Sequence, residues 1–366
     1  MREIIEKIIE AGIMAPSGEN CQPWRFKVKG NKVFTGFPRK VLPKGQVLIF
    51  NIPERDQSLY SWGQWASFVA HGALIENMSI AAGHFGYELL GEFFPDASDK
   101  NLVAIVSIQK IEKKDEPLFN SLKRRSTNRK PYEKKILKNK EYKELLNLPQ
   151  YGNAHVVLTQ DVKKKQTIAH AASMNEKLLF ENKYLHRFFF SHINWTKKED
   201  EEKKIGFYIK TFELPKPAEF AFKLFSNWRI LQVLNKIGAS NMVAKTNAGI
   251  YASSSVMGVI IIKDKTPKDF VMAGRMFERI WLKATSMGLS MQPLTGILFL
   301  MHRIRAGKIN EFSLSQIQLV TTAYERMAKA FGISPEKTMA ITFRIGKSSS
   351  PTARALRLKA QIDWEN

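Results

Sequence analysis

The chain has 366 residues, of which 44% are hydrophobic and 25% are charged, a composition that excludes disordered and fibrous proteins and allows a large core. Its formal net charge is +23, from 57 basic and 34 acidic residues, and such a surface attracts anionic ligands. The bases are not accompanied by a zinc-finger spacing, a basic zipper or an aromatic RNA-binding motif, so we expect no nucleic-acid partner.

The first hundred residues predict a mixture of helices and strands. An isoleucine-rich helical face occupies residues 4–13 and ends near Pro16. The elements that follow are a hairpin at Trp24–Val28 and Lys32–Thr35, a strand at Val47–Ile52, a helix from Ser58 to about Gly83, and a strand at Leu102–Gln109. Charged residues then predominate from Lys110 to Glu116, which is typical of a connector.

The remainder of the chain predicts further elements of both kinds. They are helices at Leu118–Arg125, Glu133–Leu146 and Val162–Phe180, strands at His155–Thr159 and Ser254–Lys263, helices at Asp269–Met287 and Ser313–Phe331, a strand at Met339–Ile345, and a basic tail. Residues from about 181 to 245 combine many aromatic residues with the charged run Lys197–Lys204. We interpret this stretch as short helices and loops that form a cover or an arm.

A faint internal repeat relates the first part of the chain to its last part. The spacing G-x3-E-x5-A-x3-G occurs twice, first at Gly72, Glu76, Ala82 and Gly86, and again at Gly274, Glu278, Ala284 and Gly288. A predicted strand precedes and follows the helix in both copies, so we expect a duplication. The alternative is two unrelated amphipathic helices that share small residues for close packing.

Some classes of site are not supported by the sequence. The seven histidines form no HExxH pair or other close zinc-binding pair, so no metal is expected. No G-x-G-x-x-G follows a strand, and no P-loop is present. Cys21 is the only cysteine, which excludes an internal disulfide and suits a reducing compartment. Because we find neither a signal peptide nor an apolar run of about 20 residues, we expect a cytoplasmic protein with no membrane partner.

Three segments carry polar groups suited to a flat, phosphorylated ligand. The first runs from Ala15 to Phe26, where two prolines and small polar residues shape a turn between a helix and a strand. Ser17 and Asn20 offer short hydrogen-bonding groups for the polar edge of a heterocycle. The alternative interpretation is a structured turn without a ligand.

The second and third segments lie in the later part of the chain. Lys123–Tyr132 places guanidinium groups beside a hydroxyl and an amide, a combination typical of a phosphate or ribityl site and equally typical of an exposed basic loop. Gly288–Gly296 follows the strong predicted helix, and its Pro293 and Gly296 bracket a tight backbone whose amides can point at a ligand. The alternative there is a helix C-cap at Gly288 followed by a turn.

Together these segments resemble the FMN-dependent nitroreductase superfamily. The turn Ala-Pro-Ser-x-x-Asn-x-Gln-Pro-Trp at residues 15–24 is similar to the signature of that family, and Arg124-Arg125-Ser126 is similar to its phosphate-binding start. The segment after Gly288 resembles the part that contacts the reactive edge of the flavin, and Phe343–Gly346 with the basic tail resembles the final strand. The resemblance leaves about 181–245 uncovered.

The order of these motifs differs from that of the usual family member. There the arginine-rich segment comes first, and the flavin lies between two subunits. Here the turn comes first and the arginine-rich segment follows about a hundred residues later, which resembles the two-domain branch typified by the mycobacterial Acg proteins. Some members of that branch are thought to store flavin under a lid.

The resemblance implies an α+β, nitroreductase-like fold. Two related halves would be fused as a pseudo-dimer, each with a central, mainly antiparallel sheet flanked by helices. Residues 1–112 would form a degenerate N-terminal half, and residues 113–366 a C-terminal half with an insertion or lid at about 181–245. The resulting molecule would be a monomeric pseudo-dimer or a homodimer.

The resemblance also assigns roles to individual residues. Arg124, Arg125 and Ser126 would hold the FMN phosphate and ribityl chain, Arg129 would stand for the last arginine of that family segment, and Asn128 lies where a basic residue is common. Pro16, Ser17 and Asn20 would border the isoalloxazine, and Pro293, Leu294, Thr295 and Gly296 would contact its reactive edge, the last two through their amides. Arg354 would supply the remaining phosphate contact, and Arg357 is the second candidate for it. No protein group is expected to be catalytic, because the flavin carries the chemistry.

The function implied is an FMN-dependent oxidoreductase. It would transfer hydride from NADH or NADPH through flavin N5 to a nitroaromatic or quinone-like small molecule. The first alternative is an FMN-sequestering storage protein, in which residues 181–245 close over the flavin and allow little turnover. The second is a degenerate scaffold that binds no cofactor, against which the retained arginines and turn argue. Whether 181–245 is a lid or a dimerisation arm stays open at this point.

Overall fold

The computed structural model of the chain describes residues 1–29, 45–113 and 115–365. The second strand of the predicted hairpin, Lys32–Thr35, lies outside the described residues. Within the described ranges, no helix is both long enough and apolar enough to cross a membrane.

The described residues of the first part of the chain form two helices and four strands. They are α1 (Arg2–Gly12), β1 (Trp24–Lys29), β2 (Gln46–Asn51), α2 (Trp65–His84), β3 (Tyr87–Phe93) and β4 (Leu102–Lys110), with 3-10 turns at Gly18–Asn20, Pro53–Arg55 and Leu59–Gln64. The isoleucine face of α1 is buried, including Ile5, Ile8 and Ile9. Strand β3 was not predicted because most of its side chains are exposed or half-buried, which weakens the apolar alternation that identifies a strand.

The middle of the chain is mainly helical. Its elements are α3 (Phe119–Arg124), α4 (Asn139–Leu146), β5 (His155–Thr159), α5 (Val162–Glu181), α6 (Lys183–Ser191), β6 (Ile193–Asn194), α7 (Lys197–Lys203), β7 (Phe207–Tyr208), α8 (Lys216–Phe225), α9 (Trp228–Lys236) and α10 (Ala239–Ala252), with a 3-10 turn at Ile209–Phe212. The prediction of a helix over Glu133–Leu146 is wrong for its first six residues. The Leu137 N–H donates to the Gln160 side chain at 2.7 Å, and this tertiary contact accompanies a non-helical backbone before Asn139.

The last part of the chain returns to strands and long helices. Its elements are β8 (Val256–Ile262), α11 (Pro267–Ser286), β9 (Ser290–Pro293), α12 (Gly296–Arg305), α13 (Leu314–Phe331), β10 (Thr338–Gly346) and β11 (Ile362–Glu365). Helix α11 starts at a capping box formed by Thr266 and Asp269, which satisfies N–H groups that the helix itself leaves free. The short elements β9, α12 and β11 were not predicted.

Two sheets of matching order organise the described residues. The first has the order β11-β1-β2-β4-β3 and the second β5-β8-β10-β9. Leaving β11 aside, the four strands of each sheet pair antiparallel in the same sequence order, with α2 and α11 at equivalent places. The α+β prediction of two related halves, each with a mainly antiparallel sheet and flanking helices, is therefore confirmed. Strand β11 pairs parallel with β1, so the C-terminus of the chain completes the sheet of the first half.

Helices α2 and α11 meet backbone to backbone where the repeat places its glycines. A Cβ on Gly72 would lie less than 3.0 Å from the Val271 carbonyl oxygen, and one on Gly274 less than 3.0 Å from the Val69 carbonyl oxygen. The two contacts are reciprocal, because each glycine meets the residue three positions before the other. Reciprocal contacts are the property of a two-fold interface, so the halves are related as the subunits of a dimer would be.

We predict that Gly274→Ala destabilises the chain by about 2 kcal/mol or more, because the added methyl group forces two packed backbones apart. Alanine favours a helix over glycine by about 1 kcal/mol. A loss of stability on this substitution must therefore come from the packing. The matched control is Gly249→Ala in α10, where a Cβ would meet nothing within 4 Å, and there we expect a small gain. Urea unfolding of both variants measures the difference, and equal stability of the two would contradict the close contact.

Candidate functional site

The first predicted segment forms a strained turn after α1. Glu19, Asn20 and Gln22 all adopt positive φ, at 45°, 55° and 50°, a region that non-glycine residues rarely occupy. The turn is held by side-chain bonds, since the Gln22 N–H donates to Ser17 Oγ at 3.0 Å. Strain of this kind persists where the surroundings impose it, and it concentrates at functional sites. Pro16 lies half-buried at the start of this turn.

The basic tail closes onto the same turn through Arg357. Its guanidinium donates to the Ile13 carbonyl at 3.1 Å, to the Ala15 carbonyl at 3.1 Å and to Asn20 Oδ1 at 2.8 Å. Asn20 in turn donates to the Leu356 carbonyl at 3.0 Å. The pairing of β11 with β1 carries the tail across to the first half, so residues more than 300 positions apart share one site.

The second and third segments are joined at the edge of the second sheet. Thr127 forms a bridge with Met291, and the Asn128 N–H donates to the Met291 carbonyl at 3.1 Å. The buried Asn128 amide also donates to Ser290 Oγ at 2.9 Å and to the Ser349 carbonyl at 2.8 Å. Asn128 therefore supports the backbone around the site, with its amide engaged by protein groups.

Arg125 connects the second segment to the first. Its guanidinium donates to the Met14 carbonyl at 2.6 Å and lies over the Trp281 ring at 4.6 Å. Its Nε is 3.0 Å from Glu278 Oε1, and the exposed fractions of the two side chains are 4% and 0%. The Asn77 side chain, oriented with its nitrogen towards Glu278, donates to the same carboxylate oxygen at 3.1 Å.

Positive charge exceeds negative charge around this ion pair. Burial lowers the pKa of Arg357 to about 9, and repulsion by Arg125 adds to the effect. Burial also lowers the pKa of Arg125, and the charge of Arg354 acts in the same direction. The pKa of Glu278 is raised to about 7 by burial, against the attraction of Arg125. The guanidinium groups of Arg125 and Arg357 thus both act on one buried carboxylate, and the charge of Arg354 acts on Arg125. This excess of positive charge favours an additional anion.

The predicted phosphate residues divide into a rim and an interior. Arg124 and Arg354 are exposed, and Arg354 donates to the Lys123 carbonyl at 2.8 Å. Ser126, which follows Arg125 in the chain, is half-buried. Arg129 is separate from these groups, because its guanidinium donates to the Thr211 carbonyl at 3.0 Å and lies 5.2 Å from the Phe212 ring centre.

The third segment starts helix α12 beside helix α5. The Leu294 N–H donates to the Thr342 carbonyl at 2.8 Å, which follows the pairing of β9 with β10. Thr295 is the N-cap residue and Gly296 the first residue of α12, and the first N–H groups of a helix have no partner within it. A Cβ on Gly296 would lie less than 3.0 Å from the Asn175 side chain, so only glycine fits there. Pro293 ends β9.

A group of polar side chains lies beside Asn175. The Tyr60 hydroxyl donates to Asn175 Oδ1 at 2.8 Å, and the Tyr251 hydroxyl donates to Glu176 Oε1 at 2.9 Å. Burial raises the pKa of Glu176 to about 7. Burial, with the negative charge of Asp56, raises the pKa of Glu19 to about 8. The charges of Glu19 and Glu176 both act on Tyr60, so these groups from three elements surround one interior region.

Residues 193–213 cover the strained turn. The Lys204 carbonyl accepts from Asn20 Nδ2 at 3.0 Å and from Gln22 Nε2 at 2.7 Å, and the Gly206 N–H donates to the Glu19 carbonyl at 2.9 Å. This stretch belongs to a small aromatic core that includes Phe190, Phe222 and Phe225 with Ile193 and Ile209. We call residues 182–237 the cover.

Several residues of the site were not among the predicted ones. Arg344 is fully buried and donates to Gln292 Oε1 at 2.8 Å and to the Lys130 carbonyl at 2.8 Å, over the Tyr132 ring at 3.8 Å. The internal repeat could have identified Glu278, because this residue matches Glu76. Its ionic partner Arg125, however, is distant in the sequence. Asn175, Glu176 and Tyr60 occupy ordinary helical positions, and no local pattern distinguishes them.

Comparisons with known proteins give distant similarities. No protein-family profile matches the chain. It is 24% identical over 310 residues to an uncharacterized protein of Mycobacterium tuberculosis. The match covers 80% of this chain and 39% of that protein, so the chain spans well under half of the relative's length.

Among solved structures, the chain is similar to FMN-bound nitroreductase from Bacteroides fragilis, with 10% identity, a TM-score of 0.34, and coverage of 66% of this chain and 95% of the other. It is also similar to iodotyrosine deiodinase bound to FMN and 3-iodo-L-tyrosine, with 12% identity, a TM-score of 0.36, and coverage of 68% and 99%. A third similar structure is the NADPH:FMN oxidoreductase of Vibrio harveyi complexed with NAD+. Its identity to this chain is 11%, the TM-score is 0.33, and the match covers 66% of this chain and 73% of the other. Because these TM-scores are low, the strand pairing of the chain itself establishes its fold.

We predict that Glu176→Gln stabilises the chain at pH 8 by roughly 1–3 kcal/mol relative to the parent, and changes little at pH 5. The carboxyl group has a folded pKa of about 7 against an ordinary value of 4.5. The stability it contributes is therefore present below pH 4.5 and is lost as the pH rises through 7. Glutamine removes that loss and can still accept from Tyr251.

The matched control for this pH effect is Glu181→Gln at the end of the same helix, where Ser240 Oγ donates to the carboxylate at 2.6 Å. Melting temperatures at the two pH values are the measurement. A gain for Glu176→Gln that is the same at both would show that the carboxyl group is not titrating in the folded chain.

Proposed function

We propose that the chain binds FMN and acts as a flavin oxidoreductase. The observation that carries this proposal is the position of Arg125 and Arg357 at the buried carboxylate of Glu278, with the charge of the exposed Arg354 acting on Arg125, where four segments of the chain meet. A buried excess of guanidinium charge is costly unless an anion accompanies it. A phosphate monoester has the charge and the oxygen geometry that arginine forks recognise.

The residues present fit the other parts of an FMN molecule. Arg124, Ser126 and Arg354 would hold the phosphate at the exposed rim, with Arg125 and Arg357 supplying positive charge beneath it. The polar edge of the ring system would meet Ser17, with Pro16 alongside. Asn20 would act by holding the strained turn in place, because its amide is bonded to Lys204, Leu356 and Arg357. Gly296 has no side chain to displace Asn175, which packs closely against the start of α12. The first N–H groups of that helix would favour a developing negative charge.

Bound FMN would supply hydride transfer. We propose NADH or NADPH as the hydride donor and a nitroaromatic or quinone-like molecule as the acceptor. The chain's own residues would orient the ring, exclude water and supply positive potential. The anionic donor would be attracted by the net charge of +23. We place the reaction in a reducing compartment, the cytoplasm, because Cys21 is a buried free thiol.

We further propose the division of the chain implied by its motifs. Residues 1–112 supply the turn, and residues 113–366 supply the arginines and the α12 segment, with an insertion at about 181–245. Both parts of the site come from one polypeptide, as in the two-domain Acg-like branch, so a monomer is self-sufficient. Support comes from the reciprocal α2–α11 contact and from the shared strand order.

A second candidate function is FMN storage with little turnover. It is favoured by the hydrogen bonds from Asn20 and Gln22 to the Lys204 carbonyl, which tie the cover to the turn. The cover is also bound to the tail, because Glu213 accepts from the Thr352 N–H at 2.7 Å and from its hydroxyl at 2.9 Å. A cover held at both places would restrict access of a second substrate to the ring.

We predict that the purified chain, reconstituted with FMN if necessary, shows flavin absorption bands that NADPH bleaches under anaerobic conditions. Recovery of the bands on addition of a nitroaromatic or quinone would support the oxidoreductase, whereas bands that stay oxidised would support storage.

Arg354→Ala should weaken FMN binding about 10-fold or more, since a charge-assisted bond is lost. Arg326→Ala, an exposed arginine on α13, is the control. Failure to bind FMN at all would refute both functions.

We predict that Glu213→Ala accelerates FMN release and increases turnover severalfold, because it detaches the cover from the tail. Glu219→Ala is the matched control, since that carboxylate pairs with Lys210 inside the cover at 2.7 Å. Stopped-flow release of FMN into apoflavodoxin measures the exchange. Equal release rates for the two variants would mean that the contact with Thr352 does not limit access.

A further inference from the structure

The outer surface of the cover exposes a group of large apolar side chains. The exposed fractions are 68% for Phe220 and 41% for Leu224 on α8, 40% for Ile230 and 63% for Val233 on α9, and 83% for Ile237 just after it. Met242, beyond the cover on α10, is 62% exposed. Single exposed apolar residues are ordinary, but a group of this size on adjacent helices is typical of an interaction surface. We call these six residues the apolar face.

The spacing of these residues places them on one side of each helix. Phe220 and Leu224 are four positions apart, and Ile230, Val233 and Ile237 are three and four positions apart, which is the interval of one helical face. The opposite sides of the same helices are already packed. Leu231 is fully buried, and Phe222 belongs to the aromatic core of the cover. The apolar face is therefore what remains after the cover has packed.

Exposed bases are interspersed with the residues of the apolar face along the chain. Between residues 216 and 245 the bases are Lys216, Lys223, Arg229, Lys236 and Lys245, all exposed, and the only acid is Glu219. The carboxylate of Glu219 is paired with Lys210, 2.7 Å from its Nζ. The rim of the face is thus strongly positive, and its one negative charge is neutralised within the cover.

We propose that the apolar face is a docking surface for an anionic lipid membrane, with α8 and α9 lying in the plane of the interface. Apolar side chains of an amphipathic helix enter the boundary between headgroups and acyl chains, while lysines and arginines contact anionic headgroups. A second copy of the chain would bring two basic rims together, and like charges facing each other oppose such pairing. An anionic lipid surface complements both the apolar and the charged parts.

This surface is separate from the FMN site and the inference does not depend on the proposed function. The expectation of no membrane partner followed from the absence of a spanning run, whereas adsorption at a surface requires only an amphipathic face. Because the inner side of the cover is bonded to the strained turn, docking would place the candidate site close to the lipid surface.

The experiment is co-sedimentation of the full chain with vesicles of phosphatidylcholine, with and without phosphatidylglycerol. We expect binding only to the vesicles that contain phosphatidylglycerol, and weaker binding as salt is raised. Phe220→Ser with Val233→Ser should reduce the bound fraction about 10-fold or more, since two side chains that enter the interface are lost. Lys223→Gln with Lys236→Gln should also reduce it, and mainly at low salt.

Matched controls use equally exposed residues elsewhere on the chain. Ile136→Ser with Leu314→Ser changes two apolar residues with exposed fractions of 71% and 85%, and Lys163→Gln with Lys164→Gln changes two exposed lysines of α5. Both control variants should bind like the parent. The proposal is overturned if the parent does not bind phosphatidylglycerol vesicles, or if the controls lose binding equally. It is also overturned if sedimentation equilibrium shows a dimer that Val233→Ser dissociates, since a second copy would then cover the face.

Discussion

The close contact between α2 and α11 is the constraint on which the rest of the structure depends. Gly72 and Gly274 bring two backbones together, and the sheet of each half is attached to one of these helices. The contact buries Glu76 and Glu278 completely. A buried carboxylate needs a compensating cation or hydrogen bonds, and the identity of those partners distinguishes one side of the pseudo-dimer from the other.

The symmetry of the scaffold does not extend to its chemistry. Glu76 is paired with Arg275 and Arg279 on the facing helix and accepts from Tyr151 at 2.7 Å. Glu278 is instead paired with Arg125 from the end of α3, and the charge of Arg357 from the tail also acts on it. Pairing of β11 with β1 brings that tail to the turn. A symmetric frame therefore supports one cationic site, built from both halves of the chain.

The cover belongs to this asymmetry. Its inner side is bonded to the strained turn through Lys204 and Gly206, and Arg129 donates to its Thr211 carbonyl. Its outer side keeps an apolar face within a basic rim. The cover therefore contacts the candidate site on one side and carries the apolar face on the other. A few hydrogen bonds, each worth about 1 kcal/mol, hold it on the turn.

Sequence patterns predicted the two halves and the three polar segments. Helical and strand periodicity identified the long elements, because a buried face imposes a regular interval on apolar residues, and the repeat around Glu76 and Glu278 indicated the duplication. The short elements β9, α12 and β11 were not visible, since they contain too few residues to show a period. The pairing of Arg125 with Glu278, the contact of Arg129 with the cover and the contact of the tail with Asn20 could be read only from the folded chain. Such partners are distant in the chain, and their pairing follows from burial and sheet completion, which no local pattern records.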